Sequence, residues 1–197
     1  MRVFTATGAA VLCTVGLLAG GPAFAQQGPP PASTHPPTIT SVLDTQLTII
    51  EREFTGAAQA MPEDKYSFAP TNGEFKGVRT FAQQVKHVAT VNNRFYGSIL
   101  GETAPAAPDE GIGSNGPDAI QTKEQILQYL HESFAHAHKA IATLTPANAF
   151  EVIKSPEPGF QTRATLASFG ISHCWDHYGQ MVEYLRMNGI VPPASAK

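Results

Sequence analysis

Cysteine is nearly absent from the chain, which carries only Cys13 and Cys174, and there is a single tryptophan, Trp175. Cys13 falls in a segment where Arg2 precedes an apolar run from Ala6 to Ala19 and Ala23-Phe24-Ala25 forms a small-x-small cleavage site, the pattern of a secretory signal. Cleavage is expected after Ala25. The mature chain then keeps Cys174 alone, which excludes an intrachain disulfide even in a compartment that permits one. Lipidation at Cys13 is excluded because Leu12 stands where that signal needs a small residue. Long apolar runs are also missing: Ala6 to Ala19 is too short to span a bilayer, so no stable membrane insertion is expected after cleavage. Basic runs are missing as well. Loss of Arg2, with no acid in the segment, lowers Lys+Arg from 13 to 12 against 16 Asp+Glu, a formal net charge of −4. An acidic chain without a basic stretch excludes nucleic acid as its partner.

What remains reads as helices separated by breakers. Residues 26–38 (QQGPPPASTHPPT) are proline-rich and aperiodic, hence a disordered leader in which His35 is solvated. From Ser41 an apolar period runs through Val42, Leu43, Leu47, Ile50, Phe54, Ala57 and Ala58, with Ser41 and Asp44 in capping-box spacing, and stops at Met61-Pro62. Met61 to Arg79 holds too many prolines and glycines for a helix, with Tyr66 and Phe68 expected to anchor it as a loop. Thr80 and Gln83 open a second helix with the stripe Phe81, Gln84, Val85, Val88, Asn92, Phe95 and Ile99, and His87 lies just beside it. Residues 101–121 form a long loop, either a lid or a disordered stretch. Thr122 and Gln125 then open a third helix, with the stripe Ile126, Leu127, Leu130, Phe134, Ala137, Ile141 and Leu144. His131, His136 and His138 fall at its edge or outside it, as polar surface positions.

The fourth helix is bounded by Thr162 as N-cap and by Gly189, with Pro192 and Pro193 behind it. Its stripe is Leu166, Phe169, Gly170, His173, His177, Gln180, Met181 and Tyr184, which sets two imidazoles inward on consecutive turns. Buried imidazoles need partners. The spacing alone leaves two readings open, a shared cation or a hydrogen-bonded core pair with Gln180 and Asn92. Cys174 points away as a buried small hydrophobe. Trp175 faces opposite the stripe, where a homodimer partner, the loop or the leader is expected to cover it. Four amphipathic helices without a convincing strand or repeat give an all-α, four-helix bundle with long inter-helix loops, spanning residues 39–193 before a tail at 194–197.

The run SHCWDHYGQMVEYLRMNGIVPP resembles the last helix of the DinB/YfiT-like family, with its H-x3-H-x-G-Q pattern and Gly-Ile-x-Pro-Pro exit, and TFAQQVKHVATVNNRFYGSILG resembles the family's second helix. The resemblance covers about Ser41 to Pro193. It implies a four-helix bundle with a three-histidine divalent-metal site, and residue by residue it assigns the ligands as His87, His173 and His177. Three imidazoles and an open position suit a catalytic metal, zinc or nickel being the expected cations, acting on a small-molecule substrate by hydrolysis or thiol-dependent transfer. The alternative is a metal-stabilised binding module without activity. No catalytic residue is named: Asp176 is poorly aimed, Gln180 and Asn92 read as donors that orient the ligands, and no basic cluster stands beside the triad to hold an anionic thiol. The signal implies export to the periplasm or the extracellular space.

Overall fold

The computed structural model describes residues 36–103 and 113–196. The expected signal at 1–25, nearly all of the leader with His35, and the middle of the 101–121 loop lie outside the described residues. Four helices account for most of the rest: α1 (Ile39–Ala60), α2 (Phe81–Leu100), α3 (Lys123–Ala142) and α4 (Arg163–Met187). Among the described residues there is no strand, only one isolated bridge between Val152 and Thr162. No described helix is long and apolar enough to cross a membrane.

Local chemistry sets the ends. Thr38, Thr80, Thr122 and Thr162 each accept the backbone N–H three residues on, and that third residue (Ser41, Gln83, Gln125, Thr165) answers the cap's own N–H, so all four starts are reciprocal boxes. For α1 this corrects the expected Ser41/Asp44 pair: Ser41 is the third helical residue and answers Thr38. At the other end of α4, Gly189 takes φ +72°, its N–H bonds the Arg186 carbonyl, and Ile190 N–H bonds that of Leu185, the two bonds of a Schellman close. Tyr66 and Phe68 anchor the 61–79 loop as expected, Tyr66 donating to the Ala58 carbonyl and meeting Phe81 edge-on, Phe68 meeting Tyr184.

Helix directions follow from the side-chain links. Thr40 reaches Leu144 and Lys123 reaches Gln59, so α1 and α3 are antiparallel. Gln84 meets Gln180 while Tyr96 meets Ala167, so α2 and α4 are antiparallel. Asn92 pairs with Ser133 and Asn93 with His136, so α2 and α3 run parallel. Consecutive parallel helices cannot be joined by a tight turn; the chain must travel back along a rod about 30 Å long before α3 can begin. That is why the connection is long.

The described second half of this connection, a strap at 113–121, lies against the start of α2. Lys86 Nζ donates to the Pro117 carbonyl (2.9 Å), Arg79 Nε to Asn115 Oδ1 (3.0 Å) and Arg79 Nη2 to the Gly113 carbonyl (3.2 Å). With the strap on one side and helices on the others, α2 is buried nearly all round, from Gln84 through Asn92 without a break. His87 therefore sits in the interior, 4% exposed, and not at the margin its place beside the stripe suggested.

Gly116 makes this contact feasible. Its φ is +78°, and a Cβ there would lie 2.6 Å from Lys86 Cβ. Gly116→Ala is expected to cost about 2 kcal/mol or more, the left-handed penalty plus the clash, whereas Gly179→Ala, whose Cβ meets nothing within 4 Å, is expected to gain about 0.5–1 kcal/mol. Chemical denaturation of the two variants checks the contrast, and equal effects would mean that the strap does not depend on that glycine.

Candidate metal centre

Two helices deliver the site. His87 projects from α2, and His173 and His177 project from successive turns of α4, the antiparallel neighbour of α2. Their Nε2 atoms converge: His87 to His173 is 3.2 Å and His177 to His173 is 3.1 Å. Two imidazole nitrogens on one tetrahedral cation lie about 3.3 Å apart when each bond is about 2.0–2.1 Å. The three can hold a metal ion, and among the described residues the cluster stops at three.

The other nitrogen of each ring decides what the converging ones present. His87 Nδ1–H donates to the Ser114 carbonyl of the strap (2.7 Å), and a carbonyl can only accept, so the His87 proton is on Nδ1 and its Nε2 carries a lone pair. His177 Nδ1–H donates to Gln84 Oε1 (2.6 Å), with the same result. His173 Nδ1 is buried and without a hydrogen-bond partner. Two bare nitrogens therefore face a third with at most one ring proton to share among them, an arrangement that leaves at least one lone pair unsatisfied unless a cation takes its place. The donor set fits a divalent metal.

Electrostatics agree with neutral rings. Burial pushes His173 and His177 down to about 3, aided for His173 by His177 and His87 and for His177 by His87, with Arg79 adding to both; Asp176 opposes the fall at His173. Burial also lowers His87, against the Ser114 bond, which raises it, and with Arg79 lowering it further. Arg79 was not expected here. It stands close enough for its charge to weigh on all three rings, so the site does have a cation beside it, though a single one.

Other sequence readings fare unevenly. The inward stripe of α4 is rotated from the expected one: Ala167, Ile171 and Cys174 are buried, while Phe169, His173 and Gln180 lie half-buried at its edge toward α2. Cys174 is a buried thiol as expected, pushed up to about 12 by burial against a lowering bond to Asn92, and it joins no ligand group. Asn92 does not orient the ligands; its oxygen accepts from Cys174 Sγ and its nitrogen faces Ser133. Gln180 acts at one remove, through Gln84. Asp176 is exposed and accepts from Gln180 Nε2 (3.0 Å). Gln84 and Ser114 were missed: Gln84 was visible as an amide in an apolar stripe, whereas a main-chain carbonyl has no signature in sequence. His138 and His136 are structural, the first bridging Asp44 (2.6 Å) and Glu51 (3.0 Å) between α3 and α1, the second bonded to Glu102 and Asn93. Trp175 is 41% exposed, edge-on to Tyr178.

The sequence model of the DinB superfamily matches residues 46–181, and the chain belongs to that superfamily. The match takes in all three histidines. No curated protein matches the chain.

Because His173 and His177 titrate near 3 when folded and near 6.5 when unfolded, the unfolded chain binds more protons between those values. Their neutral burial is fully tolerated above pH 6.5 and costs progressively more as pH falls toward 3. His138, raised by Asp44 and Glu51 against the effect of burial, works the other way: its contribution is complete below 6.5 and is lost as pH rises through its folded value. The metal-free protein should therefore lose stability on acidification below pH 6.5, and His173→Leu/His177→Leu should flatten that slope in urea titrations run from pH 7 to 4.

Proposed function

We propose that this DinB-superfamily chain is a divalent-metal protein in which His87, His173 and His177 are the ligands, zinc or nickel is the cation, and the chemistry is hydrolysis or thiol transfer on a small molecule. The observation that carries the reading is the tautomer of His87 and His177, each with Nδ1–H spent on an oxygen and a bare Nε2 turned to a common point. Hydrogen-bonded core histidines would be expected to use those nitrogens on protein partners. Imidazole suits both zinc and nickel.

A divalent cation, when bound, supplies Lewis acidity to whatever water or thiol completes its shell. The chain's own residues do the rest. The Ser114 carbonyl and Gln84 hold two rings in register. Asp176 and Cys174 are engaged with Gln180 and Asn92, which leaves a coordination position for substrate and supports a catalytic over a structural role. Three neutral ligands cancel none of the cation's charge, and Arg79 adds to it, so the substrate class this site favours is an anion. The strap covers the α2 side, where it bonds His87.

Export is part of the proposal and rests on residues 1–25, outside the described part of the chain. Protein recovered from the native host should begin at Gln26 by intact mass, and a retained Met1 would sink it.

Protein refolded with zinc or nickel should carry about one metal per chain by elemental analysis, the content of one closed ligand set. His173→Ala should carry almost none. Zinc at about 100 times its dissociation constant should stabilise the parent by about 2.7 kcal/mol and leave His173→Ala unmoved. Full metal content in that variant would rule out the triad.

A further inference from the structure

Gln84 is only 1% exposed, on a helix face shared with Phe81, Val85 and Val88. An amide in such surroundings is costly unless both its ends are bonded. Both are. Oε1 accepts from His177 Nδ1–H at 2.6 Å, and Nε2 donates to Gln180 Oε1 at 2.8 Å. Gln180 Nε2 in turn donates to Asp176 Oδ2 at 3.0 Å.

This row of bonds has a direction, and one end dictates it. Two amides in series can be satisfied either way round, each with oxygen or nitrogen leading. A carboxylate can only accept. Gln180 must therefore turn its NH2 toward Asp176 and its oxygen inward, Gln84 must turn its NH2 toward Gln180 and its oxygen toward the ring, and the ring must hold its proton on Nδ1. We propose that Gln84, backed by Gln180 and Asp176, is a positioning residue that fixes the tautomer of His177, so that an Nε2 lone pair faces the cluster before any cation arrives. The inference deepens the metal reading in its purpose, but its test does not require metal.

The other two rings show what the relay adds. For His87 a main-chain carbonyl does the same work with a single bond, since it too can only accept. His173 has neither device, its Nδ1 being buried without a hydrogen-bond partner, and it is the ring left to place a proton between its neighbours.

The test reverses the direction. In metal-free protein with 15N-labelled histidine, long-range 1H–15N spectra distinguish the two tautomers, and His177 in the parent chain should be Nδ1–H. Gln180→Glu keeps an acceptor toward Gln84 and should leave that tautomer in place. Gln180→Lys offers only donors, which turns the Gln84 amide around and should move His177 to Nε2–H, lowering zinc affinity about 10- to 100-fold. Asp176→Lys, at an exposed position, should push the same way if Gln180→Lys folds poorly. An Nε2–H tautomer for His177 in the parent, or Nδ1–H persisting in both lysine variants, would overturn the relay. Tautomers as expected with no zinc binding in any form would support the relay and sink the metal reading instead.

Discussion

The structure depends on one topological constraint, that α2 and α3 are consecutive and parallel. Every antiparallel pair in the bundle can be closed at its own end, but this pair obliges the chain to return the length of a helix, and the return segment finishes against the first turns of α2. Its effect is to make α2 a central helix. A helix with one apolar stripe acquires a covered second side, and polar residues there, His87 and Lys86, lose water and gain backbone partners. The strap is thus a wall of the site as well as a connection.

From that wall the chemistry follows in order. A carbonyl of the strap fixes His87, an amide of α2 fixes His177, and α4 supplies the ring between them. Burial then keeps all three neutral, the state in which imidazole is a ligand. The cationic neighbour, Arg79, is itself held by the strap, so the charge beside the triad is set by the same segment that sets the tautomer of His87.

Much of this was legible in the sequence, for reasons that differ by residue. All four helix starts are boxes whose two partners stand three residues apart, a relation that needs no tertiary information; those of α2 and α3 and the Thr162 cap of α4 are read directly, and only α1 is misread, because Ser41 and Asp44 imitate the spacing that Thr38 and Ser41 fulfil. His173 and His177 share a helix face by local geometry alone. His87 entered through resemblance, since its position beside a stripe does not reveal that a distant segment buries it. What could not be read was the direction of α3, and with it the strap, because amphipathic stripes specify that helices pack and not which way they run. Asn92 was misassigned for a related reason: a helical wheel places it inward but does not say which helix it meets, and it meets Ser133 of α3 and the thiol of α4 instead of the rings.

The links that build the site join residues 84 and 180, 87 and 173, and 87 and 114, separations of 96, 86 and 27 positions. Such contacts are among the last to be made as a chain folds, because each must close a large loop before it returns any energy. The three rings and the Ser114 carbonyl meet only when α2, α4 and the strap are all in place. A divalent cation at this point would meet all three imidazoles only in the finished topology, so its binding would stabilise that topology over any other by mass action.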